Sequence, residues 1–85
     1  MVNIIYNFSE AGYAASLTIY DSRGRLVKML VNNEVLGSEG AFSWDGRTDE
    51  NRKANIGMYI AYFEAFNMSG VVKKYKKTIV LGGKL

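Results

Sequence analysis

"GMYIAYFEAFNMSGVVKKYKKTIVL", residues 57–81, holds two long extended segments joined by a turn. In the first, Tyr59, Ala61, Phe63 and Ala65 occupy alternate positions, with Met58, Ile60, Tyr62, Glu64 and Phe66 between them. A period of two is the mark of a β-strand, and small residues alternating with large ones suit the packed interior between two sheets. "NMSG" (67–70) is turn chemistry, so "VVKKYKKTIVL" (71–81) is expected to return antiparallel to its neighbour. In that strand Lys73, Tyr75 and Lys77 point one way and Lys74 and Lys76 the other, so the lysines form no single planar patch.

The rest of the chain has the same grammar. "VNIIYNF" (2–8) sets Val2, Ile4, Tyr6 and Phe8 against Asn3, Ile5 and Asn7. "SEAGYA" (9–14) reads as a turn about Gly12, and "ASLTIYD" (15–21) as a strand with Leu17 and Ile19 on one face. "DSRGR" (21–25) predicts a tight hairpin in which Asp21 accepts from backbone amides and Gly24 supplies a positive φ. "RLVKMLV" (25–31) is read as a strand, "NNEVLGSEG" (32–40) as a loop, and "AFSWD" (41–45) as a short strand with Phe42 and Trp44 on one face. No segment longer than ten residues keeps a 3.6-residue apolar period. Six or seven short strands with hairpin-length connections therefore predict an all-β fold. The expected architecture is one immunoglobulin-like antiparallel β-sandwich domain over residues 1–85, with a small closed barrel as the alternative.

Composition narrows function by exclusion. The 85 residues contain no cysteine and no histidine, which removes disulfides, Cys/His zinc sites, thiol nucleophiles and Ser-His-Asp triads. Lack of cysteine leaves export open. The hydrophobic fraction of 48% supports a real core, yet no apolar run approaches the roughly 18 residues a membrane span needs. "MVNIIYNFSE" has neither the basic region nor the apolar run of a signal peptide. The net charge of +3 is uneven: residues 71–85 carry five lysines and no acid, whereas residues 1–70 carry six bases and eight acids.

"WDGRTDENRKANIGMY" (44–59) is the densest polar stretch. A calcium loop starting at Asp45 needs oxygen ligands at its third and fifth positions and glycine at its sixth, where this chain has Arg47, Asp49 and Glu50. Glycosidase chemistry needs two carboxyls facing each other across roughly 5–10 Å of cleft, and Asp45, Asp49 and Glu50 share one loop. The expected roles are structural: Trp44 as a core anchor, Asp45 and Gly46 as a turn, and Gly57 and Tyr59 as the start of the next strand. The charges between these points read as a solvated crossing free to vary. No catalytic, metal-binding or cofactor-binding residue is expected. The candidate contact residues are Lys73, Lys74, Lys76, Lys77 and Lys84, the last in the "GGKL" tail. Lysines on a strand also guard an edge against unwanted pairing, and a protein partner is favoured over nucleic acid. Asn7-Phe8-Ser9 and Asn67-Met68-Ser69 match the glycosylation pattern, a short motif prone to chance.

Taken together, "LTIYDSRGRLVKML", "G-x-x-x-WDGRTDENRKANIGMYIAYFEA" and the terminal "KKTIVL" resemble the FlgD-like immunoglobulin-like domains, named after the flagellar hook-capping protein. Related sandwich domains at the C-termini of secreted proteins of Bacteroidetes-type bacteria act as type IX secretion sorting signals. The resemblance runs from Leu17 to Leu81 and rests on the I-Y-D-x-x-G-R-x-V hairpin, the W-D-G corner and the G-x-Y strand start, in that order. It implies a non-catalytic, extracytoplasmic C-terminal module of a larger protein, used for sorting, anchoring or assembly. The implied partner is protein: secretion or envelope machinery, or the rest of the parent chain. A passive structural spacer or assembly domain and a carbohydrate-binding module are the alternatives, since the fold serves unrelated jobs. Two departures stand out. Asn51 replaces a usual glycine, and proline is absent, so residues 52–56 are expected to be looser than in the family.

Overall fold

A computed structural model describes residues 2–8 and 11–82. The strands are β1 (Val2–Asn7), β2 (Tyr13–Asp21), β3 (Leu26–Leu36), β4 (Glu39–Trp44), β5 (Gly57–Phe66) and β6 (Val72–Leu81). β1 and β4 form a two-stranded antiparallel sheet, and the other four form an antiparallel sheet in the order β3-β2-β5-β6. Packed together they make the small antiparallel sandwich that the immunoglobulin-like reading anticipates, with six strands.

The period of two works as expected in the central pair. Ala15, Leu17 and Ile19 of β2 and Tyr59, Ala61, Phe63 and Ala65 of β5 are all buried. Leu17 and Ile19 are fully enclosed, each contributing about 1.5–3 kcal/mol by burial. Aromatic rings bridge the two sheets at one end, where Phe8 stacks on Tyr13 (4.6 Å) and lies 5.9 Å from Phe63, and Tyr6 lies 6.2 Å from Phe63. At the other end Trp44 meets Tyr59 edge-on at 5.2 Å. Gly40 opposite Tyr6 is required by that packing, since the Tyr6 ring fills the space a Cβ would take.

The predicted loop over 32–40 is a correction. β3 continues to Leu36 and β4 begins at Glu39. Val31 and Leu36 are both buried although five residues apart, a separation that would put them on opposite faces of a regular strand. Between Ala15↔Glu34 and Leu17↔Val31, β3 uses one residue more than β2. This bulge restores both side chains to the core. Asn33 takes a left-handed φ of 52°, and its amide donates to the Ser16 hydroxyl at 3.0 Å. The Asn32-Asn33 pair is thus a kink inside a strand, not the start of a loop.

Candidate functional site

The 45–56 connection is a miniature hairpin. Arg47 pairs with Lys53, the Thr48 amide donates to the Arg52 carbonyl at 2.8 Å, and Ala54 donates to Gly46 at 2.8 Å. Asn51 occupies the left-handed region at φ 62°, as its place in a glycine position implied. These bonds tie residues 52–54 back to the first arm. Asp45 accepts from the Arg47 amide at 3.0 Å, Gly46 has φ 79°, and the buried Trp44 indole N–H donates to the Arg47 carbonyl at 2.9 Å. Gly57 opens β5 at φ 153°, and the Tyr59 hydroxyl donates to the Asn55 carbonyl four residues upstream, a corner clasp typical of Greek-key sandwiches.

Asp49 overturns the reading of the loop charges as interchangeable. Its carboxylate accepts from the Met29 amide at 3.2 and 3.3 Å, its own amide donates to the Val27 carbonyl at 3.0 Å, and Lys28 lies 3.7 Å away. Residues 27–29 lie on β3, an edge of the larger sheet. The connection therefore seals part of that edge with backbone and carboxylate. Among the described residues no cluster of three or more metal-ligating side chains occurs.

At the β2–β3 hairpin the Asp21 carboxylate accepts from the amides of Arg23 and Arg25, each at 2.9 Å, and from the Arg25 guanidinium at 2.9 Å. The Arg25 amide above all holds Asp21 below its ordinary pKa. Gly24, at φ 80°, makes the turn. On the outer face of the large sheet, desolvation and the Tyr62 hydroxyl's bond to Glu64 (3.1 Å) push the Tyr62 pKa up. Tyr20 and Tyr62 are half-buried there, whereas Phe66 is exposed.

β6 carries the contact candidates, and its lysines divide between faces by register. Lys73, Tyr75 and Lys77 pair with Ala65, Phe63 and Ala61 on the inner face, and Lys74 and Lys76 pair with Glu64 and Tyr62 on the outer. Lys74 lies 3.8 Å from Glu64, an exposed pair of small energetic weight. Lys76 sits 6.0 Å from the Tyr62 ring centre. The half-buried Lys73 caps the Phe8–Tyr13 stack, 5.6 and 5.2 Å from the two ring centres. Lys77 has no acidic partner among the described residues. Lys84, with the end of the tail, lies outside the described residues.

The sequence reading missed a feature beside these lysines. Two strands cannot cover four, so the inner face of β6 is left open around Tyr75, which is 55% exposed, while Ile79 further along that face is buried. The resulting groove, of about 380 Å³, runs between β1 and β6 over a floor of Leu17, Ala61 and Phe63. β1 borders it with a free edge, since among the described residues β1 pairs only with β4. One signal was available: "VNIIYN" contains no charge and no proline, and Ile5 falls on the side facing away from the core, 81% exposed.

No family model, curated protein or solved structure matches the chain. Among the described residues no helix is long and apolar enough to cross a membrane.

Proposed function

We propose that the chain is a non-catalytic recognition module of a larger bacterial extracytoplasmic protein, serving its sorting, anchoring or assembly through contact with another polypeptide. The observation that carries the reading is how the polar side chains are used. Asp21, Asp45 and Asp49 are spent on backbone amides of turns and of a sheet edge. The remaining concentration of unlike surface is the lysine strand beside an open apolar groove. The resemblance of the IYDSRGRLV hairpin, the WDG corner and the GMY strand start to sorting-type domains supplies the biological setting. Trp44, fully buried, offers no ring face to a sugar, which disfavours carbohydrate binding through it.

The test is a fusion of residues 1–85 to the C-terminus of a periplasm-targeted reporter in a bacterium with a type IX system. Delivery of the reporter to the cell surface or medium, dependent on the domain, is the expected result. A reporter that stays periplasmic with and without the domain overturns the sorting role. A parent protein that is exported normally but fails to assemble when the domain is deleted places the module in assembly instead.

A further inference from the structure

We propose that the β1 edge is a receptor for an extended acidic-apolar segment of a partner protein, which adds as a third strand to the two-stranded sheet and fills the groove over β6. This specifies the partner chemistry of the recognition module, and rests on that reading only in taking the partner to be a polypeptide.

The two edges that flank the groove differ in kind. β6 offers its edge among four lysines, the usual protection against strand pairing. β1 offers an edge with no charged residue, next to a solvent-facing Ile5. A strand added at β1 lies above the uncovered inner face of β6, because the two sheets are stacked and the groove separates these two strands. Such a strand gains main-chain hydrogen bonds from β1 and apolar contact with Phe63 and Tyr75.

Charge chooses the occupant. Lys73 and Lys77 stand on the inner face of β6, four residues apart, on either side of Tyr75. Lys77 has no acidic partner among the described residues. An incoming strand with an apolar residue over Tyr75 and carboxylates two positions to either side matches this lysine–tyrosine–lysine row, since inward residues of facing strands share the period of two. A second copy of this chain is the poorer occupant: its β6 repeats the same lysines, and its β1 brings no carboxylate.

The test uses the 85-residue chain and a dye-labelled nine-residue peptide of valine and threonine with two glutamates four positions apart. Fluorescence anisotropy follows binding, and amide hydrogen exchange locates it. Saturable binding is expected, with new protection over residues 2–7. Lys77→Glu, at an exposed position, should weaken it about tenfold. A lysine-for-glutamate peptide should bind the wild type poorly and the Lys77→Glu protein better. An N-methylated glutamate peptide, which keeps the charges and loses alternate amide donors, should not bind.

Equal binding of the glutamate and lysine peptides, retained binding of the N-methylated one, or protection gained only along residues 72–81 would each overturn the proposal. So would a concentration-dependent dimer, seen by sedimentation, that excludes the peptide. If the reporter fusion is exported but no peptide binds, the groove proposal fails alone. If peptide binds while the reporter stays periplasmic, the sorting role fails alone.

Discussion

Replacing Trp44 by phenylalanine tests how the connection between β4 and β5 is held. The side chain is fully buried, touches Tyr59 edge-on, and donates its indole N–H to the Arg47 carbonyl at 2.9 Å. Phenylalanine keeps one ring in place but shortens the side chain. Lost burial and the residual cavity should cost on the order of 1–3 kcal/mol. Loss of the hydrogen bond should cost about 1 kcal/mol more, because it strands a carbonyl beneath the loop. At roughly 0.05–0.15 kcal/mol per residue, a chain of this length holds about 4–13 kcal/mol in total, so the variant should fold with much reduced reserve. With about 4–8 °C per kcal/mol for a domain of this size, the melting temperature should fall by at least about 8 °C. Urea unfolding followed by far-UV circular dichroism measures the change without relying on the lost fluorophore. Hydrogen exchange should show Thr48 and Ala54 opening before the strands do, since both amides lie in the miniature hairpin that Trp44 anchors. A melting temperature within about 2 °C of wild type would refute the anchoring argument, because no rearrangement of exposed residues replaces a buried donor.

Gly24 and Gly46 form a matched pair, at φ 80° and 79°. Alanine at either should cost about 1 kcal/mol for the left-handed backbone, and at Gly46 more, because its Cβ would stand 3.0 Å from Leu81 while Gly24 faces open space. Thermal melts of the two variants should rank Gly46→Ala below Gly24→Ala. Asp21 has a folded pKa below its ordinary 3.8, so its stabilising contribution is complete above that value and is lost as pH falls through the folded one. Urea unfolding across about pH 2–6 should therefore show an acid-side loss of stability that shrinks in Asp21→Asn. Asp49→Ala should cost at most about 1 kcal/mol, its bonds being exposed, yet should raise self-association at high concentration by unsealing β3. Light scattering of the variant against wild type measures that.

Wherever the period of two ran unbroken, the sequence disclosed the structure. The inner face of β5, the split of the lysines across β6 and the Asp21 turn all follow from local pattern. The bulge at Asn33 was hidden because an Asn-Asn pair has the chemistry of both a turn and a kink. Only the shared burial of Val31 and Leu36 distinguishes the two, and burial depends on the partner strand. Asp49 was hidden for a related reason. Its partner, the Met29 amide, is 20 residues away and belongs to the backbone, so no side-chain motif announces it. The groove is less local still, since it arises from the number of strands in each sheet.

These three missed features share one cause, the management of sheet edges. An open sandwich must leave edges, and an unguarded edge invites pairing. The larger sheet guards both of its own by different means: β3 is partly sealed by Asp49, whose amide donates to the Val27 carbonyl and whose carboxylate accepts from the Met29 amide, and β6 is set among lysines. Guarding costs little in composition, for one carboxylate or a few lysines suffice. β1 carries neither device, although it has two asparagine positions, Asn3 and Asn7, on its exposed side. Asn3 instead accepts a hydrogen bond from Ser43 across the strand at 2.8 Å, which reinforces the β1–β4 pair and holds it in register. A chain that protects two edges and braces a third without protecting it has the edge pattern of a receptor strand. Under the strand-addition proposal, the lysines beside that strand would act less as the contact itself than as the filter on what pairs with β1.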